Sequence, residues 1–346
     1  MKVIIATSID PFVPGGATYI VESLEAALKQ RGHQVDTLQF PYAAAGEPLA
    51  QMMAMRLIDM TQSGDRLIAI RAPSHLLRHP NKVVWFIHHF RGVYDLWGTR
   101  YQTVPNTPEG DATRAAIIAA DTAGLKEATK LFSNSEVVKE RLARFNNVQA
   151  EVLYPPLLNP ERYHAAGYED FLLYVSRLAH HKRQWLAIES LRYTKTPVKV
   201  VIAGAPDPDS VAYANELQHL VKKYKLSDRV TIIPRWIGED EKLDLYARCR
   251  AVLYFPFDED SYGYPSLEAH HSSKAVLTTT DSGGTRELIE DGQNGFLLPP
   301  DPQLIAEAMD ALHADAGRAR DMGAKGKARV AELGISWDRV ADRLLS

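Results

Sequence analysis

The chain has 346 residues, of which 45% are hydrophobic and 24% are charged, a composition typical of a soluble globular protein. Its formal net charge of −3 argues against a dominant nucleic-acid footprint, which usually needs a basic excess. Cys249 is the single cysteine, so no intrachain disulfide is possible, and no run approaches the roughly 18 apolar residues that span a bilayer.

The N-terminal apolar run, which ends before Asp10 and Pro11, is too short for the core of a signal peptide. We therefore expect a cytoplasmic protein whose contact with a membrane is at most peripheral, at its inner face. The length predicts about two domains.

The first half alternates buried strands with helical segments, the pattern of a parallel sheet. A Gly-rich turn at Gly15-Gly16 separates the first strand from an amphipathic helix that ends near Gly32. A second helix is predicted over Ser135–Phe145. The predicted strands are Val3–Ala6, Val35–Phe40, Leu67–Ile70, Val83–His88, Leu131–Ser133 and Val148–Leu153.

Prolines from Tyr154 to Pro160 interrupt the alternation and predict a linker, after which the pattern restarts. We therefore predict two Rossmann-like domains, 1–160 and 161–333. The second half has predicted strands at Phe171–Ser176, Val198–Ala203, Val230–Ile233, Ala251–Phe255 and Ala275–Thr279. Its predicted helices are Gln184–Leu191, Val211–Tyr224, Asp240–Cys249, Pro265–His271 and Gly284–Ile289.

Two doubly wound α/β halves predict a cleft between them, and ligands of open α/β sheets sit at the carboxyl ends of the strands. The first such loop contains Gly15 and Gly16, which allow close backbone approach and free helix amides for an anion. It lacks the GxGxxG pattern, so a nicotinamide dinucleotide is disfavoured, and a plain strand–helix turn is the alternative.

The second loop contains Arg177 and Lys182 directly after a strand. A planar guanidinium and a compact ammonium together suit a diphosphate, although such residues are also common on solvated surfaces. His180 and His181 are adjacent and lack an obvious third ligand, so we favour solvated or packing roles for both.

The third loop, FDEDSYGYPSLEAHH, places Asp260 before a helix and Glu268 about one turn inside it. Gly263 lets the chain turn tightly between the two carboxylates, which then face one cavity and accept hydrogen bonds from sugar hydroxyls. Asp258-Glu259-Asp260 also permits an Asp-x-Asp metal clamp, and a solvated acidic loop is a further alternative.

The fourth loop has Gly283 and Gly284 before a predicted helix, a second backbone turn suited to an anion. Together the four loops resemble the family-4 retaining glycosyltransferases of the GT-B fold. The resemblance rests on Gly15-Gly16, on Arg177 and Lys182, on the E-x7-E-like pair Asp260 and Glu268, and on Gly283-Gly284 with the NGFLLPP segment.

The resemblance implies that Arg177 and Lys182 bind the diphosphate of a nucleotide sugar and that Glu268 binds its ribose. Asp260, one methylene shorter than the usual glutamate, would lie near the donor sugar. Ser261 and the amides of Tyr262, Gly263 and Tyr264 would line the phosphate and sugar, as would Gly283 and Gly284. Gly15 and Gly16 would close on the diphosphate from the other domain.

The resemblance also places His88 against the transferred sugar, with His89 as the alternative. A C-terminal helix within 334–346 would cross back to the first domain. Arg183, where the family commonly has glycine, would add positive charge to the donor pocket. Gly92–Asp111, with Tyr94, Trp97, Arg100 and Tyr101, is a candidate acceptor wall, with an ordinary packed loop as the alternative.

The implied reaction moves a hexose to a hydroxyl acceptor with retention, in glycan or glycoconjugate synthesis of the bacterial type. The acceptor is a glycan, a lipid-linked molecule or a small molecule, and neither a metal nor a cofactor is expected. A sugar-nucleotide epimerase, a dehydrogenase and a non-catalytic sugar-nucleotide-binding protein are the alternatives.

Overall fold

The computed structural model describes residues 1–9, 16–42, 47–99, 101–206, 210–259 and 261–346. They divide into two compact units. The first comprises Met1–Pro156 together with Ser336–Ser346, and the second is Leu157–Ile335. Each unit is built on a parallel sheet of six strands with helices packed against it.

The first unit has the strand order β2-β1-β3-β4-β5-β6. Strands β3 and β4 are buried along their whole length, as expected for a parallel sheet covered on both faces. The strands are β1 Lys2–Ile9, β2 Gln34–Pro41, β3 Arg66–Ala69, β4 Lys82–Phe86, β5 Lys130–Ser133 and β6 Glu151–Val152. The helices within 1–156 are α1 Gly16–Gln30, α2 Pro48–Leu57, α3 Pro108–Lys126 and α4 Glu136–Asn146.

The second unit has the strand order β12-β11-β10-β7-β8-β9, which is the 3-2-1-4-5-6 order of a doubly wound fold. Its core lies between the sheet and the helices, with Leu172, Leu253 and Leu277 contributed by the central strands. The strands are β7 Leu172–Val175, β8 Val200–Ala203, β9 Val230–Ile233, β10 Ala251–Leu253, β11 Ala275–Thr279 and β12 Gly295–Leu298. The helices are α5 Gln184–Ser190, α6 Val211–Lys223, α7 Glu239–Arg248, α8 Tyr264–His271, α9 Pro302–Ala314 and α10 Ala316–Glu332.

The last helix, α11 Trp337–Leu345, belongs to the first unit. Ser336 caps its N-terminus by accepting a hydrogen bond from the amide of Arg339 at 3.2 Å. The indole of Trp337 meets that of Trp85 edge to face, with ring centroids 6.3 Å apart. Val340 and Leu344 are buried, so an apolar face joins this helix to the first sheet and its helices.

The sequence patterns predicted the buried strands better than the helices that cover them. The predicted strand Val83–His88 ends at Phe86, so His88 follows the strand instead of ending it. Helices α2, α3, α9 and α10 and strand β12 have no counterpart among the predicted elements. In α3 the many alanines hide the apolar stripe, and Thr107 with Pro108 is the start signal that was available.

Within the described ranges, no helix is both long enough and apolar enough to cross a membrane. The cytoplasmic location, with at most peripheral membrane contact, stays a prediction.

The burial of Leu344 allows a test of how α11 contributes to the stability of the protein. Leu344→Ala should lower the free energy of unfolding by about 2 kcal/mol, because a fully buried leucine leaves a cavity when it is truncated. Leu304→Ala is the matched control, since Leu304 is 39% exposed on α9 and its loss should cost less than about 0.5 kcal/mol. Urea unfolding measures both, and equal losses would show that α11 does not contribute in this way.

Candidate active site

The carboxyl ends of β7 and β10 form the switch point of the second sheet. These two strands pair in parallel although they are far apart in the chain. The sheet continues from β7 to β8 and β9 on one side and from β10 to β11 and β12 on the other. The loops that follow them are therefore neighbours at one edge of the sheet. Arg177 and Lys182 follow β7, whereas the FDEDSYG segment follows β10.

Lys182 lies at the end of a short 3-10 helix, His180–Lys182, and is only 8% exposed. Its ammonium forms an ion pair with the Glu259 carboxylate and donates to the Tyr254 hydroxyl at 3.1 Å. The same hydroxyl donates to Glu259 Oε2 at 2.8 Å. Burial raises the pKa of Tyr254 well above its ordinary value, and Glu259 adds to this rise. The phenol therefore stays neutral and links the two charged groups.

Arg177 is exposed and lies five residues before Lys182 along the chain. Its backbone carbonyl accepts a hydrogen bond from the side-chain Nε2 of Gln184 at 2.9 Å. Its charge acts to lower the pKa of Tyr254, so the guanidinium lies near the phenol that contacts Lys182.

Arg183 does not add positive charge to the donor pocket, so this expectation is wrong. Its guanidinium is buried and forms a bidentate ion pair with Asp281, with both N···O distances at 2.7 Å. It also donates to the carbonyls of Phe255 at 2.6 Å and Pro256 at 3.0 Å. Burial alone would raise the pKa of the Asp281 carboxyl, but Arg183 and Thr279 outweigh it and lower that pKa. Arg183 thus ties together the loops that follow β7, β10 and β11.

Gly283 and Gly284 lie against the loop that follows β10. The Gly284 amide donates to the Glu259 carbonyl at 2.9 Å. Gly283 has φ +62°, and a Cβ there would come within 2.2 Å of the same carbonyl, so only glycine fits without a shift of the backbone. The helix predicted over Gly284–Ile289 is wrong, because Gly283–Glu287 forms a 3-10 turn.

Gly263 precedes α8 with φ +69°, and a Cβ there would meet the Tyr254 ring at 2.3 Å. Helix α8 therefore starts directly over the phenol that contacts Lys182. Tyr262 is buried, and the backbone amide of Gly263 donates to the Ser261 hydroxyl at 3.4 Å. The structure thus places the 261–264 turn beside the Lys182 and Glu259 side chains.

Glu268 lies inside α8 and is 6% exposed. Its Oε1 accepts from Lys242 Nζ at 2.7 Å and from the Tyr163 hydroxyl at 3.0 Å. Burial lowers the pKa of the Lys242 ammonium, but Glu268 and Glu239 outweigh it and raise that pKa above its usual value. The Glu268 carboxylate therefore has a fixed lysine partner.

Two predicted site residues, Gly15 and Asp260, lie outside the described residues, and Gly16 is the first residue of α1. The sequence patterns assigned no role to Tyr254, Lys242 or Tyr163. Tyr254 had a usable signal, since it directly follows β10 at the predicted ligand edge. Among the described residues, no group of three or more His, Cys, Asp or Glu is arranged to hold a metal ion.

The first unit has its own cavity, of about 530 Å³, at the carboxyl ends of β3 and β4. Its lining includes Arg71, His88, His89, Glu47 and Glu109. His88 is half-buried, and its Nδ1 lies 2.8 Å from the carbonyl of His89. His89 contacts Asn146 Oδ1 through Nε2 at 2.8 Å, and burial lowers its pKa to about 4. His88 and its alternative His89 therefore both line this cavity, and His89 is neutral.

The candidate acceptor wall stays a prediction, although Gly92 lines this cavity and Tyr94 is buried away from it. Gly92 and Thr103 line the cavity, but Tyr94 is 2% exposed and donates to Asp121 Oδ2 at 2.6 Å. Trp97 packs against the core and carries the Arg114 guanidinium 4.8 Å above its ring. Tyr101 is half-buried, and Arg100 lies outside the described residues.

The segment after Glu268 packs behind the site. Lys274 is fully buried, and its ammonium donates to the Gly167 carbonyl and lies 3.8 Å from the centre of the Tyr168 ring. Burial lowers the pKa of Lys274 from its ordinary 10.5 to about 8. Cys249 is buried, and its thiol donates to the Tyr246 carbonyl at 3.4 Å.

Residues 159–329 match the model of the family described as glycosyl transferases group 1. This segment falls inside the second unit and includes the strand-end site around Lys182.

Three individual proteins illustrate the likeness. Human alpha-1,3/1,6-mannosyltransferase ALG2 is 30% identical over 217 residues, 57% of this chain and 51% of that protein. The chain thus spans about half the length of the curated relatives it matches. The sucrose-phosphate synthase of Thermosynechococcus elongatus has a TM-score of 0.77 at 20% identity, with 99% of this chain and 97% of that chain covered. Anabaena HepE in complex with UDP-glucose has a TM-score of 0.70 at 16% identity, with 99% and 98% covered. The structural neighbours establish a GT-B fold.

The buried Lys274 predicts a pH dependence of stability. In the folded protein it releases its proton near pH 8, but in the unfolded chain only near 10.5. Between these values the unfolded state binds more protons, so the free energy of unfolding should rise with pH. Lys274→Met should remove this rise, since the other titratable groups acting on Lys274, which are Cys249, Arg250 and Glu169, stay in place.

Urea unfolding of both proteins from pH 7.5 to 10.5 measures the difference. Lys325→Met is the control, because Lys325 is exposed on α10 and should keep the wild-type slope. Parallel profiles for Lys274→Met and the wild type would refute the assignment.

Proposed function

We propose that this protein is a retaining glycosyltransferase of the family-4 type, which moves a hexose from a nucleotide diphosphate sugar to a hydroxyl acceptor. The observation that carries the proposal is the buried Lys182 ammonium at the switch point of the group 1 domain. Ligands of a doubly wound sheet bind at the carboxyl ends of its strands. A cation at that place is therefore suited to bind a negatively charged diphosphate.

Lys182 and Arg177 would stabilise the charge that develops on the departing diphosphate. Interactions that strengthen as this charge develops lower the barrier to transfer. In a retaining front-face reaction the leaving phosphate takes the acceptor's proton, so the protein need supply no covalent nucleophile. The two cations supply the counter-charge, which supports a reaction without a metal.

Glu268 would hold the nucleoside by accepting hydrogen bonds from the ribose hydroxyls. Its carboxylate is held in place by Lys242 and Tyr163, so it is preorganised as an acceptor. The turn formed by Ser261, Tyr262 and Gly263 leads into α8, whose N-terminal amides favour an anion. The base and the hexose are left open, and the UDP-glucose complex of HepE supports a nucleotide sugar as the donor class.

The acceptor would bind in the cavity of the first unit. About 530 Å³ is within the range of roughly 300–1,000 Å³ for small-molecule sites, enough for a sugar-sized acceptor. Arg71 and His88 offer hydrogen-bond donors, and Glu47 and Glu109 offer acceptors, a mixture suited to a molecule with many hydroxyls. His88 would contact the transferred sugar, and Asp260 its hydroxyls.

The first test removes the central cation. Lys182→Ala should lower turnover at least about tenfold with nucleotide hexoses and an acceptor panel, because charge stabilisation of the leaving diphosphate is lost. Lys199→Ala is the control, since Lys199 lies at the amino end of β8, on the opposite edge of the sheet, and is exposed.

Turnover of Lys182→Ala equal to that of Lys199→Ala would refute the proposal. Product analysis by NMR with donor alone, without acceptor, distinguishes transfer from epimerisation of the sugar.

The second test addresses the ribose contact. Glu268→Gln should weaken binding of a free nucleoside diphosphate about tenfold, because hydrogen bonds to a charged acceptor are lost. Glu239→Gln is the control, as Glu239 contacts the same Lys242 at 3.0 Å but follows β9. Calorimetry should show affinity within about twofold of wild type for the control. If both variants lose affinity equally, Glu268 acts only by fixing Lys242.

A further inference from the structure

Glu259 is the side chain that meets the Lys182 ammonium. The two form an ion pair in which the carboxylate side chain is 20% exposed and the lysine side chain 10%. Tyr254 donates to the same carboxylate oxygen at 2.8 Å and accepts from the ammonium at 3.1 Å. Glu259 thus lies where an anionic ligand of Lys182 would have to bind.

The backbone on both sides of Glu259 is fixed by the loop after β11. The Asp258 amide donates to the Asp281 carbonyl at 2.9 Å, and the Glu259 carbonyl accepts from Gly284 at 2.9 Å. Asp281 is in turn held by the bidentate pair with Arg183. The carboxylate is therefore directed at Lys182 by the fold and does not reach it as a mobile surface side chain.

A buried ammonium without a counter-ion is costly, so Lys182 needs a carboxylate beside it whenever no anionic ligand is bound. The same carboxylate repels a diphosphate that approaches this ammonium, because like charges at close range disfavour each other. A free nucleoside diphosphate carries one more ionised oxygen than the sugar-linked donor, since the second pKa of a phosphate is about 6. The repulsion therefore acts more strongly on the product than on the donor.

We infer that Glu259 is the resident counter-ion of Lys182 and competes with the diphosphate for it, which weakens product binding and favours product release. This inference rests on the proposed function and assigns to that site a positioning residue outside the E-x7-E pair.

The test compares two variants that each remove one negative charge from adjacent residues. Glu259→Gln should bind UDP or GDP at least about fivefold more tightly than the wild type, because the repulsion at Lys182 is removed. Asp258→Asn is the matched control and should stay within about twofold, since the ion pair with Lys182 is formed by Glu259, which this variant keeps. The gain for Glu259→Gln should be smaller with the corresponding nucleotide hexose.

Thermal unfolding without ligand gives a second readout. Glu259→Gln should melt below Asp258→Asn, because Lys182 loses its buried counter-ion. Glu259→Asp keeps the charge but retracts it by one methylene, so it should bind the diphosphate with intermediate affinity. If Glu259→Gln does not fold, the Glu259→Asp variant is compared with Asp258→Asn in its place.

The outcomes separate the two proposals. Unchanged or weaker diphosphate binding by Glu259→Gln, or an equal gain in Asp258→Asn, would overturn the inference while leaving the glycosyltransferase assignment intact. A wild-type protein that binds no nucleoside diphosphate would overturn the assignment, and the inference with it.

Discussion

The ion pair between Arg183 and Asp281 is the interaction on which the geometry of the strand-end site depends. It joins the loop after β7 to the loop after β11, and its remaining donors hold the carbonyls of Phe255 and Pro256 after β10. Arg183 has φ +54°, a left-handed conformation that a non-glycine residue adopts only when the surroundings require it. The buried ion pair with Asp281 holds Arg183 in this conformation.

The acidic side chains of this site are paired with cations. Glu259 is paired with Lys182, Glu268 with Lys242 and Asp281 with Arg183. The buried charges are therefore balanced locally, which makes their burial tolerable. The net charge of −3 on the whole chain therefore says little about this site, whose local field is set by the side chains around it.

The sequence predicted the strands, the ligand edge and the basic and acidic segments, because these depend on local apolar runs and on the residues directly after each run. It did not predict pairings between residues far apart in the chain. Arg183 was assigned to the donor pocket because its partner Asp281 lies 98 residues away. Tyr94 was assigned to the acceptor wall because Asp121 lies on α3, a helix whose alanine-rich sequence concealed it.

Lys182 and Arg183 are adjacent, both cationic and almost equally buried, yet their side chains have different roles. Guanidinium donors are fixed in a plane, and those of Arg183 are used by acceptors after β10 and at the end of β11, which suits a permanent structural tie. The ammonium of Lys182 is a compact charge on a flexible stem, so it can exchange Glu259 for another anion without disturbing the backbone. The Lys-Arg dipeptide therefore combines a fixed support with an exchangeable contact. Neighbouring cations can be told apart only by the acceptors that surround each of them.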